Sequence, residues 1–170
     1  MSTPRVLVVM GVSGAGKTTL GEKLAERLGW TFKEGDDLHP PANIAKMKAG
    51  QPLTDADRAP WLAAIGAWID AEVAVGRSGV ITCSALKRAY RDRLDKGRPA
   101  VTFVFMDLDE ATIAERLSHR HGHFMPPSLL ASQFADLERP QPDEPVIVVD
   151  GRQSMAAQVE QVVGEVTASG

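Results

Sequence analysis

One cysteine, Cys83, stands among 170 residues, so no internal disulfide can form and the chain suits a reducing compartment. Cys83 reads as a small apolar residue at a strand end rather than a catalytic thiol. No stretch near the start is long enough to cross a bilayer: the apolar run Val6–Met10 falls far short of the roughly 20 residues a spanning helix needs, and no small-residue cleavage pattern accompanies it. A cytoplasmic protein without a membrane partner is expected. Positive charge is not in excess either. A net charge of −3 and a pI near 5.8 argue against a surface built to neutralise the phosphates of a nucleic acid, which leaves small molecules as the expected partners. Internal repeats, low-complexity tracts and a separating linker are also missing, so residues 1–170 are read as one domain around one apolar core.

What is present alternates short β-branched runs with helical patterns, the signature of a parallel sheet covered by helices on both faces. Strands are expected at 5–10, 31–33, 79–83, 101–106 and 146–150. Leu20, Leu24 and Leu28 recur at helical spacing until Gly29, and Trp61, Leu62, Ile65, Trp68, Ile69 and Val73 form a second stripe. Trp61 and Trp68 are read as packing, and Trp30 adjoins the second strand. Pro40, Pro41, Gly50 and Pro52 punctuate a loop with a short helix between them, and Met155, Val159, Val162, Val163 and Val166 mark the last helix. Residues 118–127, with three histidines and two prolines, break the pattern and are expected to be a mobile excursion from the sheet.

The most specific local pattern is Gly11-Val12-Ser13-Gly14-Ala15-Gly16-Lys17-Thr18. It matches G-x-x-x-x-G-K-[ST] between an expected strand and an expected helix, the context in which such a loop cradles phosphates. Glycines let backbone amides curl around an anion, and the helix N-terminus adds free N–H groups and the positive end of a dipole. Lys17 is expected to bridge the β- and γ-phosphates of ATP, Thr18 to ligate Mg²⁺, and the loop with Thr19 to bind the nucleotide. A dinucleotide fingerprint needs G-x-G-x-x-G, which the glycine spacing here does not give. The strings D-x-x-G and N-K-x-D of regulatory GTPases do not occur.

An acceptor for the phosphoryl group needs a residue that orients its hydroxyl, and the end of the second strand faces the phosphate loop in an open parallel sheet. Asp36 lies there, in Gly35-Asp36-Asp37-Leu38-His39-Pro40. Two adjacent aspartates in a loop are often no more than a solvated turn. Function is preferred for Asp36 because no acidic residue closes the third strand, so the pocket would otherwise hold no carboxylate. Asp36 is expected both to accept the hydroxyl proton and to support the metal with Thr18.

That block, with Asn43-Ile44, Lys46-Met47 and the run from Pro52 through Asp55-Ala56-Asp57-Arg58 to Trp61-Leu62, resembles the bacterial gluconokinase family of small P-loop kinases. Cys83-Ser84-Ala85-Leu86-Lys87, Tyr90-Arg91-Asp92, Gly122-His123-Phe124, Gln133-Phe134 and Leu137-Glu138 are similar to the family's later motifs. The resemblance runs from about Val6 to Asp150 and loosens across 139–145 and in the last helix; Asp37 matches no fixed family position. It implies a three-layer P-loop NTPase sandwich with a five-stranded parallel sheet and a small lid at about 118–133, related to shikimate and adenylate kinases. It also implies ATP and D-gluconate as substrates, with phosphorylation at the 6-hydroxyl, and a homodimer. An anionic sugar acid calls for a cation and polar groups. Arg58, Lys87 and Arg91 lie in matched blocks and could supply the cation, and His39 could bond a hydroxyl. Arg116 and Arg120, four apart, are expected to reach phosphate oxygens, Arg120 as a catalytic group. His119, His121 and His123 alternate, yet a structural zinc site lacks a matching second pair of ligands. The alternatives are another small-molecule kinase such as a shikimate kinase, and a nucleotide-binding regulator without catalysis.

Overall fold

The computed structural model describes residues 3–118 and 127–168. Its frame is a parallel sheet in the order β2-β3-β1-β4-β5. The strands are β1 (Val6–Met10), β2 (Thr31–Lys33), β3 (Gly79–Thr82), β4 (Val101–Asp107) and β5 (Val146–Asp150). Each expected strand is present, with shifts of one residue at the ends of three. The three-layer P-loop arrangement expected from the sequence is the one observed. β1 reads Val-Leu-Val-Val-Met with every residue buried, as a strand covered on both faces must. It pairs with β3 on one side and β4 on the other.

Because side chains alternate along a strand, β1 feeds two cores. Leu7 and Val9 face α1 (Lys17–Leu28) and α7 (Met155–Ala168), where Leu20, Leu24 and Val162 wait. Val6, Val8 and Met10 face α3 (Asp55–Ala74) and α4 (Arg88–Asp95), packed with Trp61, Ile65, Ile69 and Leu94. The leucine stripe of α1 ends at Gly29, whose φ of 72° closes the helix in the left-handed conformation that glycine adopts without penalty. Two helices not singled out in the sequence, α5 (Glu110–Ser118) and α6 (Pro127–Asp136), flank residues 119–126. Of the expected excursion, residues 119–126 with the three histidines lie outside the described residues, while Ser118 ends α5 and residues 127–133 of the expected lid fall in α6.

The connections place the site. The helix that follows β1 lies on one face of the sheet and the helix that follows β3 on the other, so a crevice opens between the C-terminal ends of these two neighbouring strands. Gly11 N–H donates to the Ser84 carbonyl across it, at 3.2 Å. β2 ends beside this crevice. There Gly35 presses against β3 so closely that a Cβ would sit 1.7 Å from the Thr82 carbonyl oxygen. Only glycine fits, and its N–H donates to Thr82 Oγ1 at 2.9 Å.

Candidate active site

The segment from Gly11 to Thr18 forms the turn between β1 and α1, with Val12 and Ala15 buried beneath it. Gly14 and Gly16 have φ of 87° and 98°, values that side chains resist, so the loop's curl depends on them. Lys17 and Thr18 open α1, where backbone N–H groups have no partner within the helix; Thr19 follows, exposed, in the same turn. Lys17 Nζ donates to the Val12 carbonyl at 3.1 Å and so lies across the loop. Burial lowers its pKa, opposed by the charge of Asp36. Ser13 meets Gln133 of α6 twice: its N–H donates to Oε1 at 2.7 Å and its Oγ accepts from Nε2 at 2.9 Å.

Beside the loop lies a cavity of about 180 Å³, whose lining includes Lys17, Asp36, His39, Arg58, Trp61 and Gln133. Four of these were expected at the site. Asp36 stands in a 3₁₀ turn, Gly35–Leu38, just beyond β2. Crowding by the protein raises its pKa and Lys17 opposes the rise, but the side chain is 68 % exposed, so water in the open cavity limits the effect. His39 is buried and stacks on Trp61 with ring centroids 4.1 Å apart and planes inclined by 16°. Trp61 Nε1 donates to the Gly35 carbonyl at 2.8 Å, so this tryptophan shapes the cavity wall as well as packing the core. Burial and the nearby Arg58 charge lower the His39 pKa to about 4, which keeps the ring neutral near pH 7.

The three expected cations part company. Arg58 is buried at the cavity, donating to Tyr90 Oη at 2.9 Å and to Asp136 of α6 at 3.4 Å. Lys87 lies farther out, paired with Asp55 at 3.1 Å, and Tyr90 donates to that same carboxylate. Arg91 is corrected. Only 1 % of its side chain is exposed; it pairs with Glu144 at 2.6 Å and donates to the carbonyls of Ala85, Leu86 and Glu138. Its donors are consumed by the fold, so it is a pin behind the cavity wall rather than a ligand for substrate. Arg116 donates to the Gly151 carbonyl at 3.0 Å, beside the end of β5. Arg120 lies outside the described residues.

Among the described residues Asp36 is the one carboxylate that lines this cavity, but a second carboxylate not singled out in the sequence, Glu34, meets the phosphate loop. Its carboxylate accepts from Thr18 Oγ1 and from Thr82 Oγ1, each at 2.5 Å, and so joins the phosphate loop to the end of β3. Asp36 and Glu34 both raise the Lys17 pKa by their charge. A hydroxyl and a carboxylate are hard oxygen donors of the kind Mg²⁺ prefers, so Thr18 with Glu34 fits that ion. Cys83, next to Thr82, is buried, and burial pushes its thiol up to about 12, in line with an inert packing role. A larger hollow of about 510 Å³ lies at the opposite, N-terminal edge of the sheet, lined by residues such as Pro4, Ile69, Val73 and Ala100. It holds none of this chemistry.

Comparison with known proteins bears on the family and the fold. A family model described as an AAA domain matches residues 6–140. The chain is 56 % identical over 160 residues to a gluconokinase of Gluconobacter oxydans, covering 94 % of this chain and 90 % of that one. It is 51 % identical over 144 residues to the thermosensitive gluconokinase of Escherichia coli, covering 83 % and 75 %. The crystal structure of a gluconokinase from Sinorhizobium meliloti superposes with a TM-score of 0.88 at 47 % identity, covering 99 % and 94 %. A shikimate kinase from Aquifex aeolicus, at 15 % identity and a TM-score of 0.60 over 96 % and 97 %, shares the fold alone. Identity of that depth across nearly the whole of both chains decides among the small P-loop kinases, and this chain belongs to the gluconokinase family.

Proposed function

We propose that the protein transfers the γ-phosphoryl group of ATP to the 6-hydroxyl of D-gluconate. The observation that carries this reading is a single cavity at the phosphate loop that gathers Lys17, Asp36, His39 and Arg58, in a chain of this family. The loop amides and Lys17 hold the polyphosphate. Thr18 and Glu34 would hold Mg²⁺, directly or through its water, with Asp36 in the same field; the ion, when bound, neutralises charge on the β- and γ-phosphates. Arg58 offers a cation for the gluconate carboxylate and His39 a donor for a hydroxyl. Asp36 accepts the proton of the attacking hydroxyl as its oxygen forms the new bond to the γ-phosphorus, the bond to the β-phosphate oxygen breaks, and ADP leaves. Arg116, and Arg120 beyond the described residues, are assigned to the phosphates. The 118–133 segment as a lid, a homodimer and a cytoplasmic location complete the reading. Among the described residues no helix is long and apolar enough to cross a membrane.

An ADP-release assay across gluconate, shikimate and nucleoside monophosphates, with the product identified by phosphorus NMR, tests it. Turnover with gluconate is expected, and lost in Lys17→Ala. Asp36→Asn keeps the shape of the side chain but cannot take a proton, so kcat should fall by about 10²–10⁴-fold while ATP binding survives. Preference for another acceptor, or kcat within a few-fold of wild type in Asp36→Asn, would overturn the assignment.

A further inference from the structure

We propose that Asn43 is a positioning residue for the phosphoryl acceptor: it locks His39 in the tautomer that carries its proton on Nε2, making the imidazole a fixed donor into the cavity. The inference rests on reading that cavity as the acceptor site. Asn43, on α2 (Pro41–Lys48), is 3 % exposed. The two ends of its amide have the same shape, but a carbonyl can only accept, and the end 2.8 Å from the Asp57 carbonyl must therefore be the NH₂ group. That same Nδ2 lies 3.1 Å from His39 Nδ1. Two hydrogens serve two acceptors, one the carbonyl and the other the imidazole. Nδ1 must then present its lone pair, and a neutral ring has its one N–H on Nε2. A flip of the ring would put a carbon against the amide and lose this bond. The stack on Trp61, itself tied to Gly35, holds the plane of the ring.

The locked proton has a direction. His39 Nε2 lies 3.8 Å from Asp36 Oδ1, too far for a direct hydrogen bond. A hydroxyl oxygen beside that gap can accept from Nε2–H and donate to the Asp36 carboxylate, so the two side chains together fix both polar functions of one substrate hydroxyl. With Nε2 protonated and Nδ1 occupied, His39 cannot take the hydroxyl's proton. That duty falls to Asp36, and Asn43 enforces the division without touching substrate.

Nitrogen NMR of the wild-type protein at pH 7, with the His39 signals assigned by their loss in His39→Gln, reads the tautomer directly. A protonated Nε2 with an unprotonated Nδ1 is expected, and the opposite pattern overturns the proposal whatever the substrate is. Asn43→Leu removes the amide at similar size. It should let the tautomers mix and raise KM for gluconate about tenfold, the worth of one oriented hydrogen bond, with KM for ATP unchanged. In the His39→Gln background, where an amide NH₂ supplies the donor without help, adding Asn43→Leu should change KM less than twofold. Equal effects in both backgrounds would mean that Asn43 acts only through packing and would reject the proposal. Should Asn43→Leu fail to fold, the wild-type spectrum still decides. A wild-type protein that ignores gluconate but shows the Nε2 tautomer would instead reject the acceptor assignment and leave the lock standing.

Discussion

A proton added to His39 would meet an amide donor at Nδ1 and the Arg58 charge nearby, with little water to solvate it. Burial and Arg58 therefore lower its pKa from 6.5 to about 4, and the sign of the consequence is definite. An unfolded chain binds this proton more readily than the folded one, so the contribution of neutral His39 is complete above pH 6.5 and is lost as pH falls toward about 4. Thermal melts from pH 7 to 4.5 should show a loss of stability in that window that is smaller in His39→Gln, with the His39 ring signals unmoved down to about pH 5. A ring that titrates near 6.5 would contradict the buried, amide-locked environment. Asp36, a few residues away, shows how little of this is written in residue type. It lies in the same segment and lines the same cavity, yet its side chain is open where that of His39 is sealed.

At the scale of elements, α3 carries much of the acceptor wall, and its first turn decides whether that wall is in place. Thr54 caps it: Oγ1 accepts from the Asp57 N–H at 3.1 Å while the Asp57 carboxylate accepts from the Thr54 N–H at 2.8 Å and from Lys46 of α2 at 2.7 Å. This reciprocal box presents the Asp57 carbonyl to Asn43, Arg58 to the cavity and Trp61 to His39. Thr54→Ala should cost about 1 kcal/mol, a Tm loss of about 2–4 °C at this chain length. It should also raise KM for the acceptor while sparing KM for ATP, since α1 and the phosphate loop do not depend on it. A Tm loss with both KM values unchanged would detach the cap from the site. Elements made by local pattern were legible in the sequence: the β-branched strands, the leucine stripe of α1 and the glycine-lysine loop each state their structure within a few residues. Glu34 did not, because its partners are 16 and 48 residues away and meet it only once β2 and β3 are neighbours. Gln133 escaped as a phosphate-loop contact for the same reason, its partner Ser13 being 120 residues off. Trp61 was legible as core, but its second role needed the ring of His39.

For the molecule as a whole, Arg58 and Arg91 show why the choice among matched cations could not be made from the sequence, and they separate stability from recognition. Both are buried arginines in family-like blocks, but Arg91 joins three parts of the chain. It reaches the Ala85 and Leu86 carbonyls after β3, the Glu138 carbonyl after α6, and Glu144 just before β5. Glu138 N–H adds a bond to Leu86 at 2.8 Å, so the return of the chain to its last strand is fastened over α4 at this arginine. Arg91→Met leaves the Glu144 carboxylate, only 3 % exposed, with the Gln141 N–H but without its ion-pair partner, a loss of about 3–5 kcal/mol and roughly 10 °C in Tm. Adding Glu144→Leu should recover most of it, because a pair of apolar groups carries no charge to desolvate. The folded fraction of Arg91→Met should keep KM for gluconate within about twofold. Arg58→Lys should do the reverse. It keeps one positive charge but loses the planar fork that grips a carboxylate, so KM for gluconate should rise at least tenfold with a smaller change in Tm. Calorimetry and steady-state kinetics on the two variants are enough: were Arg91→Met to melt like wild type and raise KM, Arg91 would return to the site as a substrate ligand, and the fastening of the last strand would have to come from elsewhere in the chain.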